Sequence, residues 1–291
     1  MRTRRTTLGC TLLALAVATG AVAGCGNSTK KTASTAAPTV LSVVVTESGK
    51  TAKYSVPSTV KGGLVRMVLV NHGRAPHSGQ LVRLLGRHTP MEALKAIGGN
   101  GKIPAWIRAE GGVSEAVPDK PAAATMVLPA GRYFVADVGG NGPTTGPPAY
   151  AQFTVTPGKG GSLPSTPATV TAAPAGKDKY QWKLSSGLRP GISDVSFASR
   201  GKNTIHLVEA FRLKGSPSKA QIIKALSGNG PPPPFADQTS FTGTSALDSG
   251  KSQIAQFALK PGKYVLFCPL KDRDGGKPHF EEGLLTTVTV K

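Results

Sequence analysis

Acidic residues are scarce in this sequence. Its 15 aspartates and glutamates face 35 lysines and arginines, for a formal charge of +20. Cysteine is scarcer, with 3 in 291 residues. Long apolar runs are absent after position 23, so nothing downstream is expected to span a bilayer. Signatures of catalysis are missing too. There is no Gly-x-Ser-x-Gly elbow, phosphate loop or His-Glu-x-x-His. Ser216–Lys219 and Ser199–Lys202 both fit Ser-x-x-Lys, but the Ser-Asp-Asn and Lys-Thr-Gly motifs that accompany it at a penicillin-binding site do not occur. No set of acid, base and nucleophile is visible, and the chain is not expected to be an enzyme.

The apolar residues that do cluster are at the start. Met1-Arg2-Thr3-Arg4-Arg5 is basic, residues 8–23 are apolar or small without charge, and Val22-Ala23-Gly24-Cys25 follows. The run has the length of a signal-peptide core. Its end resembles the bacterial lipobox, in which small residues precede a cysteine that is acylated and becomes the new N-terminus. The resemblance implies lipidation at Cys25 and a place on the extracytoplasmic face of the cell membrane, because two or three acyl chains hold a protein on a bilayer far better than one. Residues 25–38 cannot bury a core and read as a flexible tether.

The mature chain keeps 32 basic and 15 acidic residues, a formal charge of +17. In an exported protein this charge is not expected to meet nucleic acid. It suits anionic partners, such as lipid headgroups, an anionic envelope polymer or an acidic protein. A basic surface that serves only solubility accounts for it equally well. With Cys10 removed and Cys25 acylated, Cys268 is left alone in an oxidising compartment, where it is inert, intermolecularly paired or metal-bound.

Glycine (36) and proline (24) are abundant, and valine and threonine alternate in short runs, which favours sheet with many turns. Residues 158–177 read as a linker between domains at 39–157 and 178–291. The two halves match at an offset of 129: His77 with His206, Arg83 with Arg212, Leu84 with Leu213, Lys95 with Lys224. Further on the offset is 131, pairing Leu128, Gly131 and Tyr133 with Leu259, Gly262 and Tyr264. A period above a hundred residues indicates a duplicated domain rather than a solenoid. Each half predicts early strands (42–46, 54–57 and 65–71; 181–184 and 195–198), a strand bearing the shared histidine, a helix (90–97; 218–226), a Gly/Pro-rich loop and two closing strands. Such a plan suggests all-β Greek-key sandwiches with one short helical insertion each.

The second half orders its chemistry-bearing residues as His206, then Gly262-Lys263-Tyr264-Val265-Leu266-Phe267-Cys268, then His279 and Leu284. This order resembles the cupredoxins, the blue-copper β-sandwich family. The resemblance implies one copper ion held by His206, Cys268 and His279, with Leu284 at the axial position and unable to donate. Two imidazoles and a thiolate suit both oxidation states of copper. Ten residues separate Cys268 from His279, more than in small blue-copper proteins. The first half carries Val68-Leu69-Val70-Asn71-His72-Gly73-Arg74-Ala75-Pro76-His77, but Asp137 stands where the cysteine would be and no second histidine follows. His77 is therefore expected to be a structural or surface residue. Asp272-Arg273-Asp274-Gly275 starts like a calcium loop, yet Gly283 occupies the twelfth position, so a tight turn is expected. Two functions follow as expectations: electron transfer or copper handling with a redox partner, or metal-free binding of an envelope protein or anionic polymer.

Overall fold

A computed structural model describes residues 37–49, 51–99, 102–138, 148–228 and 230–291. Cys25, the signal segment and most of the tether lie outside the described residues. No helix among the described residues is long and apolar enough to cross a membrane.

The first half contains β1 (Thr39–Ser48), β2 (Thr51–Ser55), β3 (Thr59–Lys61), β4 (Gly63–Asn71), β5 (His77–Leu84), α1 (Pro90–Gly98), β6 (Ile107–Ala116), β7 (Ala122–Leu128), β8 (Gly131–Ala136) and β9 (Tyr150–Thr156). Alternation drives these strands. Leu41, Val43 and Val45 of β1 are buried while Val40 faces out, the period-two pattern of a strand with one wet face. Sheet β2-β1-β4-β7 packs on sheet β6-β5-β8-β9-β3, closing a core of Leu41, Met67, Leu69, Met126, Tyr133 and Phe153. Pro90 opens α1 behind a capping box, in which the Thr89 hydroxyl accepts from Glu92 N at 3.3 Å and Glu92 Oε2 accepts from Thr89 N at 2.8 Å. Its Ala93 and Leu94 cover the outer face of β5 and β8 at Val82 and Phe134.

The second half repeats this plan with β10 (Ala168–Gly176), β11 (Lys179–Leu184), β12 (Gly191–Ser199), β13 (Ile205–His206), β14 (Glu209–Leu213), α2 (Lys219–Leu226), β15 (Ala236–Gly243), β16 (Leu247–Asp248), β17 (Ser252–Leu259), β18 (Gly262–Phe267) and β19 (Leu285–Val290). Strand β10 pairs antiparallel with β11 and parallel with β12, as β1 pairs with β2 and β4. Strands β14, β18 and β19 pair as β5, β8 and β9 do. The Arg83–Glu110 ion pair at 2.9 Å recurs as Arg212–Asp237 at 2.7 Å. Ser218 and Gln221 form the α2 capping box, and Ile222 packs on Phe211, Val265 and Phe267. The all-β sandwich read from the sequence is the fold observed.

The composition of residues 158–177 misled in part. Residues 168–176 form β10, because Ala168, Val170 and Ala172 alternate inward beneath Phe197 and Phe257. The halves also share backbone. Strand β7 pairs with β17 through Met126↔Gln253, Thr125↔Ile254 and Ala124↔Ala255, making one eight-stranded sheet. The described residues accordingly belong to one compact unit. Gly111 (φ +89°) and Gly112 (φ +137°) sit at this junction in backbone conformations that favour glycine. A Cβ at Gly112 would lie 2.0 Å from Gly79 O, and one at Gly111 would lie 2.2 Å from Gln253 Oε1. Gln80 crosses the seam, accepting from Ala246 N at 2.7 Å and donating to Ala246 O at 3.1 Å.

Candidate metal centre

His206 comes from the short strand β13, Cys268 from the residue after β18, and His279 from the far end of the loop that follows. The fold brings them together: all three are fully buried, and their donor atoms lie within 4.8 Å of one another. His206 Nδ1 is 3.1 Å from His279 Nδ1, and Cys268 Sγ is 3.5 Å from His279 Nδ1. Backbone bonds lock the corner. His279 N donates to Leu270 O at 2.8 Å, Phe280 N to Cys268 O at 2.9 Å, Cys268 N to Leu284 O at 3.1 Å and Leu284 N to His279 O at 2.8 Å. Leu284 is thus buried beside the ligand candidates, and its side chain has no donor atom.

The far side of each ring is also held. His279 Nε2 lies 3.2 Å from Asp272 Oδ1, and His206 Nε2 lies 3.2 Å from Thr204 Oγ1. A carboxylate only accepts, so His279 carries its proton on Nε2 and its Nδ1 is bare. His206 Nδ1 can face that bare nitrogen only as a donor or across a shared cation. Tyr180 of β11 lies against both rings, with centroids 4.8 Å from His206 and 4.7 Å from His279, and its hydroxyl donates to Asp272 at 2.8 and 2.9 Å. Burial, reinforced by His279, pushes His206 down to about 3. Burial lowers His279 as well, with Asp272 pulling the other way. Burial pushes the Cys268 thiol up to about 12, against the opposing pull of the Leu207 and Leu270 backbone N–H groups. Two neutral imidazoles and a sulfur, oriented by outer hydrogen bonds, are the donor set of a small transition-metal site. Two nitrogens about 2.0–2.1 Å from one ion sit roughly 3–4 Å apart, so the observed spacing fits.

Sequence reasoning missed Tyr180, Thr204 and the second role of Asp272. The sequence Asp272-Arg273-Asp274-Gly275 does make the expected tight turn, with Gly275 N donating to Asp272 O at 2.9 Å. Its side chains do more than turn the chain.

The corresponding place in the first half is closed. His77 is buried between two carboxylates, with Nδ1 2.6 Å from Asp137 Oδ2 and Nε2 2.7 Å from Glu47 Oε1. Asp137 Oδ1 accepts from the backbone and hydroxyl of Ser78, both at 3.0 Å. Glu47 Oε1 also accepts from Ala75 N at 3.0 Å. Asp137 therefore puts a carboxylate where Cys268 puts a thiol, and the cavity fills with hydrogen bonds. Of the two alternatives for His77, the structural one holds.

Glu209 lies three residues after His206 on β14, opposite Phe267. Burial raises its carboxyl to about 7. The folded state then holds a proton between about pH 4.5 and 7 that the unfolded state releases, so this residue's contribution to stability falls as pH rises through that window. Glu209→Gln is expected to stabilise the fold above pH 7 by of the order of 1–3 kcal/mol, read as a higher urea midpoint, and to leave it unchanged near pH 4. Parallel pH profiles of the two proteins would refute this.

Neither a protein-family model nor a curated protein matches the chain. Solved structures similar to it include a multicopper oxidase (14% identity, TM-score 0.23), with 87% of this chain and 88% of that one covered. Auracyanin B is 22% identical, with 44% of this chain and 93% of that one covered and a TM-score of 0.26. A copper-containing nitrite reductase from Thermus scotoductus is 11% identical, with a TM-score of 0.25. That alignment covers 87% of this chain but 61% of the reductase. At these identities the likeness concerns the fold. Against the expectation that the chain is not an enzyme, oxidases and a reductase stand among these structures.

Proposed function

We propose that this protein is a copper-binding, cupredoxin-like redox protein in which His206, Cys268 and His279 hold one ion, serving electron transfer or copper handling. The observation that carries the reading is the convergence of three fully buried donors from distant parts of the chain, with two imidazole Nδ1 atoms 3.1 Å apart beside one thiol. Copper held by two imidazoles and a thiolate exchanges one electron with little rearrangement. The residues around it divide the remaining work. Asp272 and Thr204 fix the two rings, Tyr180 shields them from water, and the backbone N–H groups of Leu207 and Leu270 favour the thiolate. Leu284 withholds a fourth donor, which favours a high reduction potential. The N-terminal residues support a lipid anchor at Cys25 on the outer face of a bacterial membrane, within reach of a redox partner.

A copper titration of the form lacking residues 1–25 tests the reading. An intense visible thiolate-to-copper band is expected to saturate at one equivalent and to be missing from Cys268→Ser. Weak uptake without a band, equal in both proteins, would sink it and leave metal-free binding of an envelope component.

A further inference from the structure

The ten residues between Cys268 and His279 reach out of their own half. Arg273, at the tip of the turn, is 3% exposed. Its guanidinium donates to Pro104 O at 3.0 Å, Ile103 O at 3.3 Å and Ile107 O at 2.7 Å, and its backbone carbonyl accepts from Ile103 N at 2.8 Å. In the first half, Ile103 and Pro104 lie between α1 and β6, and Ile107 is the first residue of β6. The charge is met by Asp248, whose Oδ1 accepts from Arg273 and whose Oδ2 accepts from Arg108 Nε at 2.9 Å and Ala109 N at 3.1 Å. On one side of Arg273, Asp272 holds His279 and Tyr180. On the other, Asp274 accepts from Asn203 at 2.7 Å and pairs with Lys102 at 3.5 Å.

From this clamp we infer that Arg273 is a positioning residue for the metal centre, through which the first half, itself without a ligand set, governs how tightly the second half holds its metal. The inference rests on the copper reading above. A buried guanidinium engaging a carboxylate and three carbonyls in a fixed fork leaves the loop little freedom. The neighbouring Asp272 then presents His279 in one orientation, and an imidazole whose supporting partner is displaced binds metal more weakly. Coupling of this kind is reciprocal: if the first half tightens the metal, the metal must steady the first half.

Copper titration of wild type, Arg273→Ala, Arg273→Lys and Asp274→Ala tests this, with hydrogen exchange of the wild type at residues 102–110 as a second measurement. Arg273→Ala is expected to lose roughly 10–100-fold in copper affinity and to shift or broaden the thiolate band. Arg273→Lys keeps the charge but not the fork and should fall between. Asp274→Ala removes only the exposed arm of the clamp and should lose less copper affinity than Arg273→Ala. Copper should slow exchange at residues 102–110 of the wild type, which stays informative even if Arg273→Ala does not fold. An unchanged affinity and band in Arg273→Ala, or unchanged exchange on copper addition, overturns the inference. A wild type that shows no thiolate band overturns the copper reading instead, and the inference with it.

Discussion

Copper uptake at neutral pH is expected to release one proton per ion, and both that proton and most of the affinity should vanish in Cys268→Ser. The thiol is pushed up to about 12 by burial, so it is protonated at pH 7 and must give up that proton to bind as thiolate. His206, held down to about 3, and His279, also lowered, are neutral at pH 7 and contribute none. One released proton means that affinity rises about tenfold per pH unit across the neutral range, between about pH 6 and 8. Serine has no proton to yield there and no soft sulfur, so its loss of affinity should exceed the roughly 10–100-fold cost of removing an outer partner. Calorimetry in buffers of differing ionisation enthalpy counts the proton. A count near zero would remove the thiol from the ligand set, and a count of two or more would mean that a histidine enters charged.

Much of this architecture was legible in the sequence, because what carries it is periodic or repeated. Strands β1 and β4 were readable from short valine-rich runs, and α2 from Ile222, Ile223 and Leu226 at helical spacing. The duplication was visible because Arg83 and Arg212 each hold a carboxylate, and the hydroxyls of Tyr133 and Tyr264 each bond the backbone four residues earlier, Tyr133 as donor and Tyr264 as acceptor. The candidate ligands were found by their order along the chain, and that order survives folding. What escaped was set by contacts between segments far apart in sequence. Strand β10 looked like a linker, since alanine, threonine and proline signal no burial until Phe197 and Phe257 lie beneath them. Tyr180 has no local mark, because its partners His206, His279 and Asp272 meet it only across the sandwich, whereas Thr204 stands two residues before His206 and carries the one signal that was open to notice. The pairing of β7 with β17 was invisible for the same reason: an edge that pairs across the repeat reads like any other strand. The loop at Asp272–Asp274 was read by its turn chemistry, which is local, and not by its role as an anchor, which is not.

The closed site of the first half makes a stability prediction as large as any in the molecule. His77→Leu is expected to cost about 3–5 kcal/mol, because it strips a buried partner from two carboxylates at once. In a cooperative unit of this size that is a fall in Tm of about 6–20 °C. The ring bridges Glu47 and Asp137 through both of its nitrogens. The loss should thus come from stranded charge rather than from lost volume. That distinction is measurable. If stranded charge dominates, His77→Leu combined with Asp137→Leu should be more stable than His77→Leu alone, since replacing a buried ion pair by apolar residues is far less costly than breaking it. Glu47 keeps its bond from Ala75 N in both variants. Should the double variant prove less stable than the single one, packing rather than electrostatics holds this site. Asp137 would then be needed for its bonds to Ser78 and not for the histidine.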